Sequence, residues 1–343
     1  MSPIKVLIHV FAATVLAATA RAEEPPTPAP VPGAPEATAP TPAETAVAAG
    51  TVAPSPVPTP PSPPYSLPWQ LRSVAAANVI RSDTAVAFYD NGAGASGSTV
   101  ATMLLACYKV TTSLAPMARL GFAQNDAPAA GADGTSFINP VVGATYAAKV
   151  DAIRWSAFLG ATVPIGQGGG NMPDAGAALA NGSGIRARSA MDNAMFAVNY
   201  FTAMAGGGVA YVDHKLTVQL EATLLQLFRV RGDMAASATD STRTNSTVGL
   251  HAGYFVIAML SLGGELRYQR WLTTPTQLNS MSVKEDIPGA AKDTMTLAIG
   301  PRLHFQVGKG MWLRPGIAYA RPLDDPLSAA SYNVVQVDVP FVF

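Results

Sequence analysis

Alternation of apolar and polar residues, sustained over unusually long runs, is the feature that most narrows what this chain can become. In 293–307, Met295, Leu297, Ile299, Leu303, Phe305 and Val307 share one parity, and Thr294, Thr296, Ala298, Gly300, Arg302, His304 and Gln306 share the other. In 244–259, Val248, Leu250, Ala252, Tyr254 and Val256 alternate with Thr247, Gly249, His251 and Gly253. In 215–231, Leu216, Val218, Leu220, Ala222 and Leu224 alternate with Thr217, Gln219, Glu221 and Thr223. A period of two is the period of a strand. Globular strands average about 5–6 residues, whereas a strand crossing bilayer hydrocarbon needs about 9–11. The length of these runs therefore points to membrane-spanning strands.

Twelve such segments follow one another: 75–89, 97–110, 112–124, 136–149, 151–164, 204–213, 215–231, 244–259, 261–273, 293–307, 311–323 and 332–343. Short connections at Thr111, Val150, His214, Leu260 and Gly308-Lys309-Gly310 alternate with longer, polar ones. Outer-membrane barrels show that asymmetry, with an even strand count, and closure leaves no backbone edge facing lipid. The fold expected is all-β: a closed antiparallel up-and-down transmembrane β-barrel of about 12 strands. Pro116, Pro140, Pro301, Pro315 and Pro340 fall inside these segments. A proline removes a ladder donor, so bulges or shifted boundaries are expected there.

Charge fits the same picture. Lys plus Arg and Asp plus Glu each number 22, and charged residues make up 13% of the chain. A neutral balance gives no basic surface for nucleic acid, and so few charges suit a surface that does not all face water. One cysteine, Cys107, excludes a disulfide framework. Met1–Ala22 reads as a secretory signal peptide, with Lys5, an apolar stretch from Val6, and Ala20-Arg21-Ala22 at the cleavage site. Residues 23–68 hold sixteen prolines and four acids. That composition buries too little apolar surface to order itself and predicts a disordered Pro/Ala-rich linker. The barrel is expected over 69–343.

The last segment has the sharpest local pattern. Val335, Val337, Val339, Phe341 and Phe343 share the outward parity, and Asp338 falls on the inward one. Phe341 and Phe343 are expected to be read by the barrel-insertion machinery, as in the terminal strands of outer-membrane barrels that this one resembles. With apolar residues outward, the candidate lumen-lining set is Arg81, Asp83, Arg119, Arg154, Glu221, Arg229, Glu265, Arg267, Arg302, His304, Arg314 and Asp338. Arg or Lys on the lipid face costs about 2–4 kcal/mol at the midplane. The excess of arginine predicts either a mild preference for anionic solutes or carboxylate–arginine pairs that fill the lumen. In the long loop at 165–203, Gly166–Gly170 and Asn181–Gly184 suggest flexibility and Ala187–Tyr200 a short helix. It is expected to fold into the mouth or to stay at the surface. Trp69, Trp155, Tyr200, Phe201, Tyr211, Trp271, Trp312 and Tyr319 lie near segment ends, as interfacial girdles would. Asp192 falls among the acids expected in solvated outer loops.

No catalytic, cofactor or metal residue is expected. Gly92-Ala93-Gly94-Ala95-Ser96-Gly97 has dinucleotide-type spacing, but no acid lies between Asp90 and Asp126 to bind the ribose. His214, His251 and His304 show no zinc-hydrolase spacing, and no G-x-S-x-G elbow occurs.

Leu67-Pro68-Trp69-Gln70-Leu71-Arg72, Gly263-Gly264-Glu265-Leu266-Arg267-Tyr268-Gln269-Arg270-Trp271 and Leu313-Arg314-Pro315-Gly316 with the closing segment carry a resemblance. In these stretches the chain is similar to a family of outer-membrane transporters named by analogy with the meta-pathway of phenol degradation. The resemblance implies a barrel of about twelve strands that moves small, often hydrophobic molecules. The expectation is thus an outer-membrane channel or facilitator of a Gram-negative bacterium. Its partners would be outer-membrane lipid, the insertion machinery and small-molecule solutes. The alternative is a structural or anchoring barrel whose lumen is plugged.

Overall fold

The computed structural model describes residues 65–90, 95–127, 133–232, 241–274, 276–278, 284–286 and 292–343. The expected signal peptide, the linker through residue 64, residues 92–94 of the glycine motif, and Asp233 and Asp240 lie outside them.

Twelve strands make the wall: β1 (Val79–Asp90), β2 (Ser96–Cys107), β3 (Leu114–Asp126), β4 (Val141–Val150), β5 (Ile153–Thr162), β6 (Tyr200–Asp213), β7 (Leu216–Arg229), β8 (Thr242–Ile257), β9 (Leu260–Trp271), β10 (Asp293–Leu303), β11 (Gly316–Pro322) and β12 (Asn333–Val342). Each pairs antiparallel with the next. β12 returns to β1, with Val79 opposite Val342 and Phe88 opposite Asn333, so the sheet closes. The barrel expected from the alternation is the one observed. Thr217, Gln219, Glu221 and Thr223 of β7 are buried inside, and Leu216, Val218, Leu220 and Leu224 are exposed outside. In β10, Ile299 is 59% exposed and Arg302 2%.

Boundaries moved where proline or a side chain interrupts the ladder. The fourth segment splits. Gly134–Phe137 pairs with β3 as a short strand, and β4 starts after Pro140. Between them the Asn139 side chain replaces the ladder: its Nδ2 donates to the Ala197 carbonyl at 3.0 Å, and its Oδ1 accepts from the Gly166 N–H at 2.9 Å. The eleventh segment starts at Gly316, after Pro315, and Phe305–Gly308 forms a small hairpin with Met311–Leu313. Pro301 remains inside β10, but pairing with β11 lapses there: Ile299 faces Tyr319 and the next paired residue is Arg302, opposite Gly316. The two backbones come so close that a side chain at Gly300 would run into the Ile317 carbonyl.

Short turns gather at one rim. Asp151 and His214 turn there with φ of 51° and 48°. Both ends of the sheet meet at this rim, where the Phe343 N–H donates to the Asn78 carbonyl at 3.1 Å. The long connections lie at the opposite rim.

Candidate functional site

The lumen is occupied from both ends. From the short-turn rim comes Tyr65–Ala77, a strap without regular structure. Such a segment has no ladder for its backbone groups, and buried N–H and C=O groups must find partners. The wall supplies them according to charge. Carboxylates take the amides: Glu265 accepts from the Trp69 N–H at 2.8 Å and the Gln70 N–H at 3.2 Å, and Glu221 from the Arg72 N–H at 2.5 Å. Guanidiniums take the carbonyls: Arg302 donates to Leu67 at 3.2 Å, and Arg81 to Pro68 at 3.0 Å and also to Trp69. Near the rim the Ser66 N–H reaches Thr217 Oγ1 at 3.0 Å, and Tyr65 Oη donates to Gln219 at 2.5 Å. Burial pushes the Tyr65 phenol up to about 12. The strap therefore enters at the short-turn rim, turns at Trp69–Leu71 and returns to Asn78. Wall glycines make room for it: a side chain at Gly249 would collide with Leu71, and one at Gly263 would press on the Trp69 ring.

From the long-loop rim, residues 163–199 fold inward. Asp174 caps α1 (Ala175–Ala187), its Oδ1 accepting from the Ala177 N–H at 2.7 Å. A short α2 (Asn193–Phe196) follows. Asn181–Gly184, expected to be flexible, is helical. The helix passes so close to β3 that a Cβ at Gly184 would stand 2.6 Å from the Phe196 ring and 2.9 Å from Ala123. Beyond α1, Arg188 is fully buried and fastens the loop to the wall. It reaches both oxygens of Asp83 at 2.7 and 2.6 Å and Asp192 at 2.8 Å. Arg119 holds the other oxygen of Asp192 at 2.5 Å. Asp192 thus departs from the expected solvated loop acid. Burial opposes its ionisation, but the Arg119 and Arg188 guanidiniums outweigh burial and hold its carboxyl well below the usual range. For Arg188 burial is likewise outweighed, by Asp83 and Asp192, and its pKa is raised.

Strap and loop touch at Gln70, whose Nε2 donates to the Arg188 carbonyl at 2.7 Å and to Asp192 at 3.3 Å.

The structure brings most of the candidate residues into this network. Arg81 and Arg302 share Asp338, at 2.6 and 2.5 Å; Arg267 pairs with Glu265 at 2.5 Å; Glu221 pairs with Arg72 at 2.7 Å. Arg154 lies over the Tyr65 ring at 5.2 Å, and Arg314 Nη1 is 3.5 Å from the Tyr65 carbonyl. Both are near the short-turn rim, without a carboxylate partner among the described residues. Arg229 lies apart, near the opposite rim, over Tyr200 at 5.9 Å. His304 is buried and bonded through Nε2 to Ser261 Oγ at 2.9 Å. Burial, then Arg314 and Arg302, push its imidazole down to about 3. Ser261 is 1% exposed. Phe341 and Phe343 stack at 5.7 Å, with Phe343 exposed at the chain end. Of the expected girdle aromatics, Trp155, Tyr211 and Tyr319 are exposed, but Trp69 and Tyr200 are buried in the interior. Gln70, Arg72, Arg188 and Asp192 complete the network without having been expected in it; the i,i+4 spacing of Arg188 and Asp192 was the available signal.

Strap and loop leave a cavity of about 150 Å³ against β1–β8 and β12. Its wall is mostly apolar, with Met103, Leu105, Met117, Val141, Phe158 and Met204 from the strands and Met191 and Met195 from the loop. At the short-turn end, Cys107, Ala115 and Val342 line it beside Ala75 and Ala77 of the strap.

No family model and no curated protein matches the chain. Among solved structures, it is similar to an outer membrane channel from Pseudomonas putida F1, at 12% identity over 81% of this chain and 100% of that one, with a TM-score of 0.49. The KdgM porin is similar at 12% identity over 77% and 99%, with a TM-score of 0.38. The Ralstonia pickettii toluene transporter TbuX is similar at 12% identity over 78% and 88%, with a TM-score of 0.38.

Proposed function

We propose that the chain is an outer-membrane facilitator for small, predominantly apolar solutes in a Gram-negative envelope. In this reading, residues 1–22 direct export, the segment up to residue 64 is a tether, and Phe341 and Phe343 serve barrel insertion. The observation that carries the reading is the methionine-rich cavity, whose lining surface is mostly apolar. An aqueous porin keeps a polar channel, whereas an apolar pocket with a few placed polar groups is the usual form of a small-molecule site. The inward loop is the outer stopper, and the strap is a liner that narrows the bore. The motif resemblance to the phenol meta-pathway family supports the same solute class. General anion selectivity has less support, because Arg81, Arg119, Arg188, Arg267 and Arg302 are each paired with a carboxylate.

The strap's many backbone bonds favour a second reading, a closed scaffold that conducts nothing. Uptake of a small alcohol or hydrocarbon by intact cells with and without the protein separates the two. Faster uptake with the protein supports the facilitator; identical rates leave the scaffold.

A further inference from the structure

We propose that the strap and the inward loop are one coupled gate, locked by a closed circuit of hydrogen bonds, so that releasing either insert loosens the other. The inference rests on the facilitator reading for its use, but the coupling itself is a property of the folded chain.

Two ion pairs hold the two inserts. Glu265, paired with Arg267 at 2.5 Å, carries the strap through the Trp69 and Gln70 amides. Asp83 carries the loop, accepting from both terminal nitrogens of Arg188 at 2.7 and 2.6 Å. Two glutamines join these pairs. Gln336 of β12 accepts from Arg267 at 2.8 Å and donates to Asp83 at 2.8 Å and to the Trp69 carbonyl at 3.4 Å. Gln70 of the strap donates to the Arg188 carbonyl at 2.7 Å and to Asp192 at 3.3 Å, while Glu265 holds its backbone N–H. The path runs from Glu265 through Arg267, Gln336, Asp83, Arg188 and Gln70 back to Glu265. Gln70 is half-buried and the other five are buried.

A primary amide suits both joints, because one end accepts and the other donates. Reversing Gln336 would set its nitrogen against Arg267 and its oxygen against Asp83, so the sense of that joint is fixed. Away from water such bonds polarise one another, and the partly satisfied network is the costly state. Withdrawing the strap takes two donors from Glu265 and one from the Arg188 carbonyl. Withdrawing the loop takes the cation from Asp83 and both acceptors from the Gln70 amide. Each insert is therefore held more firmly when the other is in place, which is positive coupling between them. The chain ahead of the strap leaves by the short-turn rim, so a pull there acts on the stopper at the opposite rim.

The experiment uses the detergent-solubilised full chain with Trp69 as its sole tryptophan. It needs no solute, so its failure and a failure of transport are separate results. Acrylamide quenching of Trp69 reports the strap, and the rate of tryptic cleavage after Arg186 reports the loop. Glu265→Ala, a lesion on the strap side, should speed cleavage at Arg186 at least about fivefold, and Arg188→Met, on the loop side, should raise Trp69 quenching. In a chain that also carries Gln70→Met and Gln336→Met, both cross-effects should shrink to within about twofold, as independent sites give. Heat-modifiable migration shows each barrel folded, and Glu265→Gln is the milder lesion where alanine prevents folding. Effects confined to the lesioned insert, or absent from both reporters, overturn the inference. So do cross-effects that persist without the two glutamines, and so does opening of either insert by the glutamine changes alone.

Discussion

Replacing Glu265 by alanine should detach the strap from the wall without unmaking the barrel. Glu265 is fully buried, and its carboxylate holds the Trp69 and Gln70 amides and, at 2.5 Å, the Arg267 Nε. Each orphaned buried donor costs about 1–3 kcal/mol, and breaking a buried ion pair costs about 3–5 kcal/mol. The lower ends of these ranges give a loss of about 5 kcal/mol, a large share of a typical folding free energy. The strap can escape part of that penalty by leaving the lumen, where water satisfies its amides. Two signatures follow. The urea midpoint in lipid vesicles should fall, and Trp69, buried in the parent, should become quenchable by acrylamide when it is the sole tryptophan. Glu265→Gln keeps an acceptor for one amide and should lie between the two. If the alanine variant unfolds within about 0.5 kcal/mol of the parent and Trp69 stays shielded, the strap is not held by the bonds described.

Three further outcomes are expected. Gly300→Ala should lower the yield of heat-modifiable barrel on gels, because its methyl group would meet the Ile317 carbonyl where β10 and β11 close; normal yield would contradict that geometry. Arg188→Met leaves Asp83 and Asp192 buried without their shared cation, at about 3–5 kcal/mol, and should free the loop so that trypsin added to intact cells cuts at Arg186; continued protection would show that other contacts hold the loop. His304 titrates near 3 in the folded chain and about 6.5 when unfolded. The unfolded chain binds that proton first, so this contribution is complete above about pH 6.5 and is lost progressively as pH falls toward 3. His304→Asn should flatten the fall in urea midpoint between pH 7 and pH 5, and an unchanged slope would refute the assignment.

The barrel was legible because each strand residue has one of two destinations, lipid or lumen, so chemistry reports orientation directly. Arg302 beside Leu303, and Glu221 between Leu220 and Ala222, could be placed without any knowledge of partners. What fills the lumen was not legible in the same way. Leu67–Arg72 carries an aromatic and apolar residues that suit a rim girdle equally well, and its true partner, Glu265, stands 196 residues from Trp69. Nothing periodic marks such a pairing. Asp192 misled for the same reason: a residue in a long loop has no parity to betray that it turns inward. Pro301 and Pro340 were tolerable because the ladder they interrupt was already lapsing, a property of the neighbouring strand β11 rather than of the proline.

Both arms of the strap leave by the same rim, with Tyr65 beside Gln219 and Asn78 against Phe343. A tug on the chain ahead of Tyr65 would therefore load its attachments in succession, Ser66 before Leu67 and Leu67 before Trp69, and never all together. Adhesion that is strong in sum yields to modest force when it is unpeeled, so this insert is mechanically compliant in one direction and firmly seated against every other.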